Sequence, residues 1–389
     1  MPLRTRTLVF LAACAFIVAN TFNALNKGGD ARDFFDGGRR LLQGKPLYEG
    51  SSPASGFIGP PFQAMFFLPF GALADASDAA ARLAWYALNL VCLAVGVAFW
   101  WRAWRRHASL HSAPWFALLA ILLPLQTNFE HQNMNPLLLA AVGVAAYCLV
   151  VERWRAAGVL IGFAAAMKIF PALAILYLAI RRFWIAAAVA VATTAALTAL
   201  PVAVYGWPGF RQQFADWLRL ASGGWPTRGA NQSLMAAIDR ALPWGSASSV
   251  HTVSDVPVEF AIFALCASAL VAVALVAAGR TRRGGHIACE LAAVTLLSVL
   301  LSPVAWDHYW VLLFPAFLLV YDARDGRLLG PVASVLFWIA AVLTSGLSRL
   351  TLGADGWSLA RQMSVSAVAA LILYFGLVLL WRRLEDLRG

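Results

Sequence analysis

Residues 28–49, GGDARDFFDGGRRLLQGKPLYE, form a polar stretch of about twenty residues that directly follows the first long apolar run. The stretch holds Asp30, Asp33 and Asp36 where a membrane segment would end and water begin. A carboxylate held at a membrane surface can take a proton from a hydroxyl group and stay close to a lipid-borne partner. We interpret Asp33 in this way. The alternative is a solvated loop whose acids only balance the neighbouring arginines.

Composition defines the class of protein. The chain has 389 residues, of which 61% are hydrophobic and 13% are charged, and its mean hydropathy is +0.71. Soluble globular proteins are about half apolar and roughly a quarter charged. The net charge of +11 comes from short basic clusters between apolar runs, a pattern typical of membrane topology. We therefore expect an all-α polytopic membrane protein with the lipid bilayer as a partner and no nucleic acid.

The cysteines fall inside apolar runs and show no CxxC or His-Cys spacing. This placement is typical of packing residues, so the sequence indicates neither a disulfide nor a metal site. The cysteines are Cys14, Cys92, Cys148, Cys266 and Cys289.

Basic clusters predict the topology of the first half of the chain. Residues 7–25 follow two arginines and are close to the roughly 20 residues that cross a bilayer, longer than the 7–15 of a signal-peptide core. We read them as an uncleaved first span with a cytoplasmic N-terminus. The run 79–101 ends in arginines that prefer the cytoplasm. Residues 61–74 are then a re-entrant or interfacial helix on the outer side.

Later apolar runs are short and pair into hairpins. Runs 114–127 and 135–151 flank one polar string, and residues 158–180 break at 167–171, where proline interrupts the helix. This break places Lys168 at the outer mouth of the bundle and away from lipid, where an unpaired ammonium is costly. A third hairpin, 287–320, has its tip at residues 306–308. Together the runs predict about 12 membrane segments with both termini inside.

The expected organisation is one transmembrane domain over residues 1–389. Its first external loop, residues 26–78, carries the candidate aspartate and the re-entrant helix. The second, residues 206–257, carries an amphipathic interfacial helix at 210–219. The polar side chains of the loops and tips all fall on the external side, where they would form a cavity with a carboxylate base, cations for a phosphate and amides for sugar hydroxyls. These residues are Asp30, Asp33, Glu130, His131, Gln132, Lys168, Asn231, Gln232, Asp307 and His308.

An ordered set of short motifs runs through nearly the whole chain. They are Asp33-Phe34, Leu41-Leu42-Gln43-Gly44-Lys45-Pro46-Leu47-Tyr48, Gly59-Pro60-Pro61, Lys168-Ile169-Phe170-Pro171, Asn231-Gln232-Ser233 and Ser302-Pro303-x-x-Trp306-x-His308. This set resembles glycosyltransferase family 87, the polyprenyl-phosphate-mannose-dependent α-mannosyltransferases of the GT-C superfamily. The resemblance implies a GT-C bundle of about 12 transmembrane helices, several of them short, with periplasmic juxtamembrane helices.

The resemblance also implies an activity. It predicts inverting transfer of a hexose, with mannose expected, from a polyprenyl-phosphate donor to a glycan or glycolipid acceptor at the periplasmic face of a bacterial inner membrane. No cofactor and no essential metal are expected. Asp33 matches the acceptor-activating aspartate, and Lys168 and His308 match groups near the donor phosphate. The residues expected to contact substrate are Asp30, Gln132, Asn135, Asn231 and Gln232.

The expected chemistry needs only one essential carboxylate. A polyprenyl phosphate leaves as an anion, so it requires neutralisation by cations and little or no proton donation, unlike the leaving group of a glycosidase. Two other classes remain open on the sequence. A secondary transporter would place its polar residues at mid-depth in an internally repeated bundle. A noncatalytic component of cell-envelope glycan export would not require Asp33.

Overall fold

The computed structural model describes residues 15–23, 25–53, 55–105, 113–227, 229–242, 250–280, 286–323 and 329–386. The described chain is almost entirely helical, and its only named strands are Trp225–Pro226 and Val250–His251, which pair antiparallel. This confirms the all-α fold class. Cys14 and several arginines of the basic clusters lie outside the described part of the chain. They are Arg4, Arg6, Cys14, Arg106, Arg282, Arg283 and Arg388.

Residues 15–23 and 25–26 are helical. The helices that follow are α1 (Gly29–Leu42), α2 (Pro61–Ala76), α3 (Asp78–Trp104), α4 (Ala113–Ala120), α5 (Leu122–His131), α6 (Asn135–Val150), α7 (Trp154–Met167), α8 (Leu173–Ile180), α9 (Trp184–Ala199), α10 (Val202–Ser222), α11 (Leu234–Ala241), α12 (Pro257–Arg280), α13 (Ile287–Leu300), α14 (Phe314–Ala323), α15 (Pro331–Ala341), α16 (Arg349–Gln362) and α17 (Val365–Asp386). Short 3₁₀ helices cover Phe170–Ala172 and Asp307–Leu313, and a π-helix covers Val342–Gly346.

Three of the described helices, Asp78–Trp104, Pro257–Ala277 and Val365–Leu384, are long and apolar enough to cross a membrane. The number rises to five if each of two sharply bent helix pairs counts as one span. The other apolar helices have 10–17 residues, and such a helix is shorter than the roughly 30 Å of a bilayer core at 1.5 Å per residue. The protein is polytopic, and the predicted number of about 12 segments stays a prediction.

The two sharp bends join α9 to α10 and α15 to α16. Helices α9 and α10 meet at 91°, and Gly206 in the left-handed region (φ 63°) and Pro208 interrupt the first turns of α10. Beyond them α10 covers the predicted interfacial helix at 210–219, which is thus helical as expected. The second bend, 90°, separates the α15 segment from α16.

Two helices of the structure have no counterpart among the predicted elements. Helix α16 contains Arg361 and is separate from α17, which begins at Val365, and Ser348 caps α16 through its side chain. Within the predicted first external loop, residues 29–42 form the helix α1. Its buried residues, among them Ala31, Phe34 and Leu41, recur at three- and four-residue spacing, so one face packs inward.

Close packing of α1 on α2 positions the polar face of α1. A Cβ added to Gly38 would lie 2.4 Å from the carbonyl oxygen of Phe67, so the two helices approach at backbone distance. The rings of Phe34 and Phe67 stack at 4.8 Å between centroids. This packing leaves Asp30 and Asp33 on the wall of a cavity. The large apolar core below is continuous and includes buried tryptophans such as Trp85, Trp100 and Trp310.

Candidate active site

A cavity of about 460 Å³ lies where α1, the α5–α6 turn, the break after α7 and the tip before α14 meet. The break after Met167 and the tip at 306–308 occur where the sequence predicted them. The polar residues that line the cavity come from distant parts of the chain. They include Asp30, Asp33, Gln63, Thr127, His131, Asn133, Lys168, Asp307, His308 and Arg361.

A left-handed glycine brings Asp30 to His131. Gly29 has φ +48°, and a Cβ at this position would lie 2.5 Å from the carbonyl oxygen of His131. Only glycine allows this approach without strain, because L side chains disfavour positive φ and no side chain fits the space. Gln132 is also left-handed (φ 52°), and this conformation turns the chain between α5 and α6. Asp30 therefore faces the α5–α6 turn at short range.

Asp30 is the centre of the polar network. Asn133 Nδ2 donates a hydrogen bond of 2.6 Å to Asp30 Oδ2. His308 Nε2 lies 3.4 Å from Oδ2, and His131 Nδ1 lies 3.6 Å from Oδ1. Burial alone would raise the pKa of Asp30, but the facing His131 and His308 and the Asn133 amide lower it to about 2. Asp30 is therefore a carboxylate at neutral pH.

Asp33 lines the same cavity one helical turn away from Asp30 and has a different environment. Its side chain makes no hydrogen bond or ion pair with another described residue. Burial raises its pKa, and the negative charges of Asp30 and Asp36 add to the rise against the charge of Arg32. The structure thus brings Asp30, and not Asp33, next to His308 and, through Asn133, to Lys168.

Lys168 reaches the network from the chain break after α7. Its Nζ donates to Asn133 Oδ1 at 3.1 Å and lies 3.8 Å from the centroid of the Tyr309 ring. Asn133 therefore links the ammonium to Asp30 through its two amide atoms. Burial lowers the pKa of Lys168 to about 7, and the charge of Asp30 opposes that fall. The lysine is thus a cation that titrates close to neutral pH.

The tip residues His308 and Asp307 face different neighbours. The His308 side chain is buried, and burial lowers its pKa to about 3, so its imidazole is neutral. Asp307 Oδ2 forms an ion pair with Arg361 Nη2 at a distance of 2.8 Å. Burial raises the pKa of Asp307 to about 6 against the opposing charge of Arg361. Sequence reasoning missed Arg361, since it lies in the unpredicted helix α16.

The four amides predicted to contact substrate lie behind the cavity wall. Asn135 is fully buried, and its Nδ2 donates to Asn128 Oδ1 at 3.0 Å and to the His308 carbonyl at 2.9 Å. Gln132 is also buried, and its backbone carbonyl oxygen accepts a 2.7 Å hydrogen bond from Trp85 Nε1. Both residues hold the α5–α6 turn against its neighbours in this structure.

Asn231 and Gln232 brace the tip in the same way. Asn231 Nδ2 donates to the Pro226 and Pro303 carbonyls, and its Oδ1 accepts the Ala305 N–H at 2.9 Å. Gln232 Nε2 donates to the Arg361 carbonyl at 2.7 Å. The residue that contacts both Asp30 and Lys168 is instead Asn133. It lies in the polar string that the sequence singled out, but its spacing gave no reason to prefer it to its neighbours.

The fold and the cavity define a polytopic all-α membrane protein whose polar groups converge on one carboxylate and one lysine. A family comparison makes this class specific. The profile of glycosyltransferase family 87 matches residues 57–303, more than half of the chain. The chain belongs to glycosyltransferase family 87. The matched residues include Asn133 and Lys168, whereas Asp30, His308 and Arg361 lie outside them.

Curated relatives agree with this membership. The chain is 31% identical over 300 residues to a polyprenol-phosphate-mannose-dependent alpha-(1-2)-phosphatidylinositol pentamannoside mannosyltransferase of Mycobacterium tuberculosis, covering 74% of this chain and 63% of that protein. It is 27% identical over 342 residues to a polyprenol-phosphate-mannose-dependent alpha-(1-2)-phosphatidylinositol mannoside mannosyltransferase of Mycolicibacterium smegmatis, covering 80% of this chain and 72% of that protein. The match thus spans less than two thirds of the first relative. No solved structure matches significantly.

Proposed function

We propose that this protein transfers a mannosyl group from a polyprenyl-phosphate mannose donor to a hydroxyl group of a lipid-linked glycan. The donor and acceptor classes follow the relatives, which are named for polyprenol-phosphate-mannose and phosphatidylinositol mannosides. The observation that carries the proposal is the contact chain from Asp30 through Asn133 to Lys168 on one cavity wall. It puts a base and a phosphate-binding cation within reach of one sugar.

Lys168 and His308 are the proposed donor-phosphate ligands. The ammonium neutralises charge on the departing polyprenyl phosphate, and the neutral imidazole of His308 contributes a hydrogen bond. Since the leaving group departs as an anion, no protein acid is needed to protonate it. A single displacement then inverts the anomeric centre, with the acceptor oxygen attacking opposite the phosphate.

The base and the phosphate ligands must line one cavity, because the attacking oxygen and the leaving oxygen lie on opposite sides of the same anomeric carbon. Asp30 meets this condition, since its Oδ2 lies 3.4 Å from His308 Nε2 and the side chain of Asn133 links it to Lys168. Asp33, the base favoured by the sequence, has the higher pKa but no contact with either group. We therefore propose Asp30 as the general base, with Asp33 acting on the acceptor.

Matched substitutions decide between the two carboxylates. Asp30→Asn keeps the size of the side chain and its hydrogen-bonding capacity but cannot take the proton, so turnover should fall by roughly 10²- to 10⁴-fold while donor binding survives. Asp33→Asn should mainly raise the KM for the acceptor. The measurement is transfer of radiolabelled mannose from synthetic polyprenyl-phosphate mannose by purified protein in lipid nanodiscs.

Each outcome has a clear meaning. A large loss of turnover in Asp33→Asn with near-normal turnover in Asp30→Asn would return the base to Asp33. Absence of transfer by wild-type protein with every polyprenyl-phosphate sugar would refute the proposed function.

We propose that the cavity lies on the periplasmic side of a bacterial inner membrane, because the basic clusters predict cytoplasmic loops at the other ends of the helices.

A further inference from the structure

Three possible metal ligands meet at the cavity wall. The side chains of Asp30, His131 and His308 each offer one donor atom, and these atoms all lie within 4.8 Å of one another. His131 is the exposed member of the group, with 48% of its side chain accessible, and His308 is the buried one. The three residues lie far apart in the sequence, so no motif spacing reveals the group.

The contacts of the two imidazoles with Asp30 are longer than ordinary hydrogen bonds. The two imidazole-to-carboxylate distances are 3.4 Å and 3.6 Å, beyond the roughly 2.7–3.2 Å of a normal N–H···O hydrogen bond. His308 Nε2 is buried and has no hydrogen-bond partner. Neighbouring ligands around a tetrahedral zinc ion, bound at 2.0–2.1 Å, lie about 3.3–3.5 Å apart. The two imidazole-to-carboxylate separations are close to these values, and the three donor atoms all lie within 4.8 Å of one another.

A supporting residue orients the carboxylate. Asn133 Nδ2 donates to Asp30 Oδ2 at 2.6 Å, and Lys168 fixes the direction of that amide by donating to its oxygen. Carboxylates that bind metals are commonly held by such an outer hydrogen bond. All three ligands line the cavity, so a fourth ligand position would open toward it, as in zinc sites with three protein ligands.

We propose that Asp30, His131 and His308 bind one divalent transition-metal ion, with zinc preferred, and that the bound ion inhibits transfer. Binding is a property of the three side chains alone. Inhibition rests on the proposed function, because a metal ion on Asp30 occupies the lone pairs that would accept the acceptor proton. Zinc and the acceptor hydroxyl group therefore compete for the same carboxylate.

Zinc binding is tested first, without any assay of transfer. Purified protein in lipid nanodiscs is equilibrated with Zn²⁺ against a competing chelator, and bound zinc is counted per chain by atomic absorption. Wild type should bind about one ion, with two histidines and one carboxylate as ligands. His131→Gln should weaken binding by more than the roughly 10- to 100-fold that loss of an outer partner costs. Since His131 is on the cavity rim, this substitution leaves the packing intact.

Glu130→Gln is the matched control. Glu130 adjoins His131, carries a surface charge paired with Lys27 at 3.6 Å, and is outside the three-residue group. This variant should bind zinc as wild type does. If wild type binds no zinc, or if His131→Gln binds it as tightly as wild type and Glu130→Gln do, the metal site is refuted. Equal loss of binding in Glu130→Gln and His131→Gln would refute it too, since this would indicate general surface charge.

Transfer is measured second, as the ratio of rates with and without zinc for each protein. Wild type and Glu130→Gln should lose activity in zinc and regain it with EDTA, and the ratio for His131→Gln should stay near one. Zinc that binds at the three residues but leaves transfer unchanged would overturn the inhibitory role and keep the metal site. Absence of transfer without zinc would bear on the proposed function and not on zinc binding.

Discussion

Asn133 joins the two charged groups of the cavity through one side chain. Its amide nitrogen donates to Asp30 and its amide oxygen accepts from Lys168, so the orientation of the amide is determined by both partners. The ammonium is held near Asp30 without forming a direct ion pair with it. An ammonium group without a direct ion-pair partner is suited to bind an anionic ligand, because no strong ion pair has to be broken when the ligand binds.

The pKa of Lys168, lowered by burial to about 7, predicts a pH dependence of donor binding. A lysine is charged below its pKa, so the charged fraction falls by roughly tenfold from pH 6 to pH 8. The KM for the donor should rise over this range by a similar factor. Lys168→Arg should remove the dependence, because a guanidinium stays protonated. The measurement is the initial rate against donor concentration at each pH.

A Lys168→Arg variant that keeps the wild-type profile would assign the titration to another group. Asp307, whose pKa is about 6, is the next candidate. The two cases differ in midpoint, about 7 for Lys168 and about 6 for Asp307, and not in sign, since the cavity becomes one unit more negative as either group loses its proton.

Gly29 allows the first turn of helix α1 to contact the α5–α6 turn. Alanine at Gly29 would combine an unfavourable positive φ with a Cβ that lies 2.5 Å from the His131 carbonyl oxygen. Gly29→Ala should shift Asp30 away from His131 and His308 and reduce turnover by at least about tenfold, since small misplacements of catalytic groups cost up to about 100-fold.

Gly44→Ala is the matched control for this effect. Gly44 also has positive φ (+64°), but an added Cβ would meet nothing within 4 Å. Its cost should be limited to about 1–2 kcal/mol of unfolding free energy from the backbone conformation. Thermal unfolding and turnover are measured for both variants. Equal loss of turnover in the two would show that the contact with His131 does not matter.

Helix α16 docks on the tip through Arg361. Arg361 Nη2 contacts Asp307 Oδ2 at 2.8 Å, and its carbonyl oxygen accepts from Gln232. Arg361→Gln should destabilise the protein by about 1.5–3 kcal/mol, because a hydrogen bond to a charged group is lost. It should also raise the pKa of Asp307 above about 6, since the cation that favours its charged form is removed.

Chemical denaturation and the pH dependence of turnover measure these two effects. The double variant Arg361→Gln with Asp307→Asn leaves no unpaired carboxylate and should regain part of the lost stability. If the double variant is as unstable as the sum of the two single variants, Arg361 and Asp307 do not act as a pair.

The distribution of charged loops predicts which side of the membrane the cavity faces. Cysteine at Glu49 or Ser254, both exposed, should react with an impermeant thiol reagent added outside intact cells, and cysteine at Arg155 should not. A cysteine-free background is used for labelling. Gly37 is a poor site for this test, since its added Cβ would lie 2.6 Å from the Phe57 ring. Labelling of Arg155→Cys with protection of the other two would invert the proposed topology.

Composition, apolar run length and basic clusters were sufficient to predict a polytopic all-α protein, and proline and polar residues marked the break at Lys168 and the tip at 306–308. These features depend on local chemistry, since transfer into lipid and helix breaking act on neighbouring residues. The family resemblance named Lys168 and His308, which lie in one cavity in the structure.

The choice between Asp30 and Asp33 required the tertiary structure. The two residues are three positions apart on one helix, so periodicity puts both on the same face and cannot separate them. Their difference comes from Asn133, His131 and His308, which reach Asp30 from other segments. Helix α16 was missed for a related reason. Its polar sequence has no strong apolar periodicity. Arg361 contacts Asp307 only because distant segments of the chain pack together.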